Sequence, residues 1–158
     1  MSVFPYPGEE NKYLVEHIEL LRSSLRYYTG RDLLDTALSP VDAAKNIFYA
    51  PFIVVSHDRE QDPIFNYGNQ AALDLFEMTW EEFTALPSRK SAEPLNREER
   101  AQLLAEVSSK GFIDNYSGVR ISQTGKRFRI EQVTVWNLRD LQGNYSGQAA
   151  VYSRWKYL

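Results

Sequence analysis

Two arginines carry the most specific chemistry this chain offers. Arg89 lies in the polar stretch between Pro87 and Pro94, and Arg120 lies in a stretch that alternates like a strand. Two such planar guanidiniums can clamp a carboxylate through paired N–H bonds. A structural ion pair with Glu93, Asp114 or Glu131 is an equally good reading. His57-Asp58 has the composition of a paired metal ligand, as in metal-dependent phosphohydrolases. Such a site needs further His and Asp ligands, and His17 is the only other histidine. The stronger reading of His57-Asp58 is a strand-end pair facing solvent, and a haem axial ligand is no better supported. Neither a glycine-rich phosphate loop nor a Gly-x-Ser-x-Gly elbow occurs. No base is paired in sequence with a Ser or Thr, so a hydroxyl nucleophile would be unassisted. The expectation is a protein that is not an enzyme, with no catalytic and no metal-binding residue.

The elements that must position these groups follow from periodicity. Residues 1–10 hold two prolines and a glycine and read as a flexible arm. Leu14, Ile18, Leu21, Leu25 and Tyr28 then recur at spacings of four and three, one apolar stripe on a helix that Gly30 stops. Leu33, Leu34 and Leu38 suggest a short helical turn. Ser39-Pro40 opens a second helix, with Ser39 as cap and Pro40 at the first position, and Pro51 ends it. Phe52–Ser56 and Ile64–Tyr67 read as two short strands around an Asp-Pro turn. Asn69 caps a helix, and Thr79-Trp80-Glu81-Glu82 is a capping box for another. Asn96 is the expected cap of a third helix ending at Lys110-Gly111. From Phe112 onward three strands and two tight turns make a meander. Alternation along the long strand assigns Phe128, Ile130, Gln132, Thr134 and Trp136 to one face, and Arg127, Arg129, Glu131, Val133 and Val135 to the other.

Composition bounds the class. The chain has 158 residues, enough for one domain with a single core. Its net charge of -3 includes no basic run, so nothing argues electrostatically for nucleic acid. There is no cysteine, which excludes disulfides, cysteine-ligated zinc, iron–sulfur clusters and cysteinyl flavin photochemistry. No apolar run approaches the ~20 residues that span a bilayer, and the N-terminus lacks a signal-peptide pattern. The expected setting is cytoplasmic, with neither a membrane nor a nucleic-acid partner.

The order after the N-terminal helices is similar to that of a PAS domain. At motif level PFIVVSHD at 51–58, IFNYGNQAALDLFEMTWEEFTALPSRKSAEP at 64–94, GFIDNYSGVRISQTGKRFRIEQVTVWN at 111–137 and GQAAVYSRW at 147–155 resemble the MEKHLA domain family. That family, itself similar to PAS domains, occurs as stand-alone bacterial proteins and at the C-terminus of some plant homeodomain–leucine zipper regulators. The present chain looks like the stand-alone bacterial type. The resemblance implies an α+β fold: an antiparallel sheet of about five strands, short helices on one face, and preceding N-terminal helices. The expected organisation is an arm at 1–10, N-terminal helices at 11–49 and a PAS-like core at 50–158, one domain overall. It also implies a role in sensing or regulated interaction, and it carries over no catalytic residues.

In such a fold a ligand would lie between sheet and helices. The candidate ligand-binding residues are Asn66, Tyr67, Arg89, Tyr116, Arg120, Gln132, Thr134 and Trp136. For Asn66 and Tyr67 a turn beside the Asn69 cap is the stronger reading. For Gln132 and Thr134 it is satisfaction of neighbouring backbone, and for Trp80 and Trp136 plain core. The cofactor is unknown; noncovalent flavin is the first candidate should a chromophore be held, though no residue selects it. The main alternative is a ligand-free interaction domain, and a cavity smaller than roughly 300 Å3 favours that alternative. A regulatory protein partner fits either reading. Leu14, Ile18, Leu21, Leu25 and Tyr28 are the expected seam of a homodimer, because their narrow stripe has coiled-coil spacing. The same stripe folded over its own sheet is the competing arrangement.

Overall fold

The helix boundaries follow local chemistry closely. A computed structural model describes residues 4–158, the side chains of 94–96 excepted. Helix α1 runs Val15–Thr29, and Gly30 ends it in the left-handed region at φ 74°, its amide donating to the Arg26 carbonyl at 2.9 Å. Helix α2, Pro40–Phe48, has Ser39 as N-cap. Helix α3, Gln70–Phe76, follows the Asn69 cap, and α4, Trp80–Phe83, carries the Thr79–Glu82 capping box in full. Helix α5 spans Pro94–Lys110. It begins earlier than expected, with Glu93 at the N-cap position and Pro94 in the first turn. The expected cap, Asn96, falls outside the residues whose side chains are described. The helical turn expected from Leu33, Leu34 and Leu38 does not form. Instead Asp32 accepts two bonds from the Arg22 guanidinium, at 2.9 and 3.1 Å, and one from Arg26 at 2.8 Å, tying the loop to α1.

Six strands make one antiparallel sheet: β1 Ile53–His57, β2 Phe65–Gly68, β3 Phe112–Ile121, β4 Arg127–Arg139, β5 Tyr145–Tyr152 and β6 Arg154–Tyr157. Their order is β2-β1-β5-β4-β3, with β6 continuing beside the first half of β4. Helices α3 and α5 cover one face, called inner here, and α1 covers the other. The stretch expected as a flexible arm is laid on the core from Phe4 onward. The Phe4 carbonyl accepts from Trp80 Nε1 at 3.0 Å, and the Tyr6 ring meets those of Phe48 and Trp80 edge-on.

The long strand departs from simple alternation. Against β3, pairing runs Gly118 with Ile130 and then Tyr116 with Val133, so β4 holds one extra residue between them. Gln132 takes up that residue at φ 54°. Between Tyr116 and Ile113 the extra residue is on β3, and Asn115 takes it up at φ 59°. Each bulge shifts the two-residue period by one. Phe128 and Ile130 therefore share the inner face with Val133 and Val135, while Thr134 and Trp136 turn toward α1. The expected single face of Phe128, Ile130, Gln132, Thr134 and Trp136 is corrected on this ground.

The proposed dimer seam is also corrected. Ile18 and Leu21 are fully buried, Leu14 and Leu25 nearly so, and Tyr28 packs half-buried beside Phe112 within the same chain. Helix α1 buries a face wider than a coiled-coil stripe, because His17, Arg22 and Ser24 are buried with it. Trp136 Nε1 donates to the Leu21 carbonyl at 3.1 Å, and the Ser24 hydroxyl accepts from the Arg139 amide at 2.9 Å. The stripe is core.

Leu21→Ala should accordingly lower the unfolding free energy by about 2–5 kcal/mol in denaturant titrations, the range for a large-to-small core change. Ile18→Glu with Leu25→Glu should unfold the protein, as circular dichroism would show, rather than release a folded monomer. Burial lowers the His17 imidazole to about 4. The folded state then binds fewer protons than the unfolded one between that value and the ordinary 6.5, and stability falls as pH drops through the window. His57 is lowered in the same direction. In His17→Gln the loss of stability between pH 7 and pH 5 should be smaller than that of the wild type, with the His57 share remaining.

Candidate functional site

The inner face of the sheet and the helices above it enclose a cavity of about 70 Å3. Its floor is sheet: Val55 and His57 from β1, Ile130, Val133 and Val135 from β4, and Gln148, Ala150 and Tyr152 from β5. Its roof is Phe76 of α3, Ser91 of the short turn Ser88–Ser91, and Arg100, Leu103 and Leu104 of α5. Tyr116 and Arg120 of β3 close one side.

Two guanidiniums converge here. Arg100 and Arg120 are each only 8% exposed. Arg100 donates to the Ser88 hydroxyl. Arg120 donates to the Val119 carbonyl at 2.9 Å and to the Tyr116 hydroxyl at 3.4 Å. Among the described residues, no carboxylate stands within ion-pair distance of either. Three nearby acids form ion pairs with other arginines: Asp62 with Arg89 at 3.1 Å, Glu93 with Arg127 at 2.6 Å, and Asp114 with Arg31 at 2.7 Å. Burial, and then the Arg120 charge, push the Arg100 guanidinium down to about 10. Asp62, the acid whose charge is felt at Arg100, offsets only part of this. Gly118 lies between Tyr116 and Arg120 on the strand. A Cβ there would stand 2.9 Å from the Tyr116 ring and 3.0 Å from an Arg120 nitrogen, so the absent side chain leaves space that these two groups fill.

His57 and Gln148 supply a second pair. His57 is 7% exposed and Gln148 3%. His57 Nδ1 lies 2.8 Å from the Asp58 carbonyl. A carbonyl only accepts, so Nδ1 carries the proton and Nε2 presents a lone pair. Gln148 donates its amide N–H to Asn137 Oδ1 at 2.9 Å. His57 Nε2 and Gln148 Oε1 are left buried with no hydrogen-bond partner. Burial lowers the imidazole, with the Arg100 charge adding to it, while the Asp58 carbonyl and the Gln148 side chain oppose the shift in part.

Of the candidates named from sequence, only Tyr116 and Arg120 reach this cavity. Arg89 is surface-exposed and paired with Asp62, so the expected partner of Arg120 is wrong and Arg100 stands in its place. Asn66 Oδ1 accepts from the Ser56 hydroxyl at 2.6 Å, and that hydroxyl lies 2.9 Å from His17 Nε2, a chain that ties β2 and β1 to α1. Tyr67 is fully buried among His17, Phe48 and Trp80, its hydroxyl without a partner. Trp136 is core beneath α1. Gln132 and Thr134 line a shallow depression on the α1 side of the sheet, where the Thr134 hydroxyl donates to Asp114 at 2.7 Å. His57 faces the cavity and not solvent. Arg100 had a signal in sequence: it precedes Leu103 and Leu104 by three and four positions, on the inward face of α5.

Residues 15–157 match the MEKHLA domain family. The homeobox-leucine zipper protein HOX32 of Oryza sativa subsp. indica is 24% identical over 136 residues, which is 85% of this chain and 16% of that protein. Homeobox-leucine zipper protein ATHB-15 of Arabidopsis thaliana is 21% identical over the same length and shares of each chain. The chain thus spans about one sixth of the length of these relatives. Nothing in these matches supports the bacterial type expected above. Among solved structures, the PAS domain of a protein from Colwellia psychrerythraea superposes with a TM-score of 0.62 at 15% identity, over 74% of this chain and 94% of that one. The Cys71Val variant of the fungal photoreceptor VVD gives 0.58 at 16% identity, over 85% and 93%. At these identities the likeness shows a shared PAS fold. No helix among the described residues is long and apolar enough to cross a membrane. The chain belongs to the MEKHLA domain family.

The surface pair Arg89–Asp62 and the cavity arginines should respond differently to truncation. Arg89→Ala should change the unfolding free energy by less than about 1 kcal/mol, as an exposed ion pair would. Urea denaturation at neutral pH measures it.

Proposed function

From that membership, we propose that the chain is a sensory module in which occupancy of the sheet–helix cavity is reported by the packing of α1 on the opposite face. The observation that carries this reading is the two-sided use of β4. Val133 and Val135 wall the cavity, while Thr134 and Trp136 alternate with them and face away from it. A molecule that displaces the cavity wall therefore strains the Trp136–Leu21 hydrogen bond that seats α1. The ligand acts by binding one packing state better than the other. The related structures named for photoreception share the fold; here the absence of cysteine rules out a cysteinyl adduct in this chain. A flavin does not fit a cavity of about 70 Å3 as it stands.

That volume also favours a second reading, an interaction domain with a filled core, because ligand pockets commonly run from roughly 300 Å3 upward. Filling the cavity from within separates the two. Ala150→Leu adds carbons at the β5 wall. If the cavity is coupled to α1, deuterium uptake over residues 15–29 should change by about twofold while uptake in α2 stays the same. Uptake over α1 identical to the wild type would sink the sensory reading and leave the interaction domain.

A further inference from the structure

We propose that the cavity is a binding site for a small carboxylate that also carries a hydroxyl group, a glycolate-like anion held by Arg100 and Arg120. The proposal rests on the sensory reading above and names the chemical class of its ligand. Three observations converge on it. First, Arg100 and Arg120 are buried at the rim of one cavity, and no carboxylate pairs with either among the described residues. Buried charges are ordinarily paired, and a guanidinium presents its donors in a plane that matches two carboxylate oxygens. Second, His57 and Gln148 belong to the lining of the same cavity, and His57 Nε2 and Gln148 Oε1 have no hydrogen-bond partner. An anion alone leaves both unsatisfied. One hydroxyl on the ligand supplies a donor to one of the two. Third, the remaining walls are mostly apolar, with Phe76, Leu103, Val133 and Val135 among them, and a volume of about 70 Å3 admits only a few heavy atoms. A large or polyanionic ligand is thereby excluded from the cavity in this packing state.

Sodium glycolate, sodium acetate and glycolamide test the two halves on the full chain. Acetate keeps the charge and lacks the hydroxyl; glycolamide keeps the hydroxyl and lacks the charge. Thermal unfolding at constant ionic strength, with calorimetric titration, reads each. Glycolate should raise the midpoint in a saturable way. Acetate should bind roughly tenfold more weakly for one lost hydrogen bond. Glycolamide should give no shift. Arg100→Met and, separately, Arg120→Met should abolish the glycolate shift. Arg100→Met without ligand should melt at or above the wild-type temperature, because an uncompensated buried charge is gone. Glycolamide binding as well as glycolate would overturn the carboxylate assignment and leave the cavity-to-α1 coupling standing. Acetate binding as well as glycolate overturns the hydroxyl assignment. No shift with any of the three overturns the proposal. So does an Arg100→Met protein that is destabilised yet keeps the glycolate response, since Arg100 is then a structural tie to Ser88. The Ala150→Leu exchange measurement judges the sensory reading independently of all these outcomes.

Discussion

The arrangement depends on one extra residue in strand β4. Without the bulge at Gln132, strict alternation would place Val133 and Val135 on the same face as Arg127 and Arg129, and Trp136 would fall on the face of Phe128. The sheet would then offer α1 a row of β-branched residues and would drive an indole into the space beneath α5. A positive φ at a non-glycine residue costs on the order of 1 kcal/mol. It is offset by two well-packed faces, each with the residues suited to its cover. The matching bulge at Asn115 restores the register of β3, so Phe112 still pairs with Trp136 at the far end. Register is thus kept at both ends of the hairpin and broken only in the middle, beside the cavity.

Burial on the α1 side is closed and satisfied for the most part. Asn69 illustrates how: it caps α3 through Ala72, accepts from the Val54 amide at 3.1 Å, and donates to the carbonyls of Ile47 and Phe52 at 3.0 and 2.8 Å. One side chain joins α2, β1 and α3, and every polar atom it has is used. The inner side is the opposite case. There a mostly apolar cavity meets two cations and two acceptors without a hydrogen-bond partner, and its lining among the described residues includes no acid. Unsatisfied groups of this kind cost free energy in a folded chain, and they are tolerated where something else completes them.

Several features were legible in the sequence because they rest on local chemistry. The caps at Ser39, Asn69 and Thr79, the stop at Gly30 and the turn glycines at Gly125 and Gly143 need only neighbouring residues to act. Long motif blocks placed the chain in its family, and the meander followed from strand pattern and turn residues. Tyr116 and Arg120, named from the strand pattern, do line the cavity. Arg89 was not, because an arginine in a polar loop carries no local sign of which acid it meets; Asp62 lies far along the chain and across a turn. Arg100 was overlooked because a charged residue on a helix is ordinarily solvated, and only its spacing from Leu103 and Leu104 hinted otherwise.

What the sequence determined by itself was most of the elements, the caps that start α2, α3 and α4, and the family, since each follows from interactions a few residues apart or from long blocks of residue identity. What tertiary structure alone decided was the use of each face. The stripe from Leu14 to Tyr28 fits a dimer seam and a cis-packed helix equally well by spacing. Only the Trp136 indole bonded to the Leu21 carbonyl, with Arg22 held by Asp32, assigns it to the chain's own core. In the same way, the face taken by each residue of β4 turned on a bulge whose cause is pairing with β3, a contact between strands. Periodicity records the average environment of a segment, and a single inserted residue reverses it. That is why the residues of the cavity could be gathered only after the strands were paired.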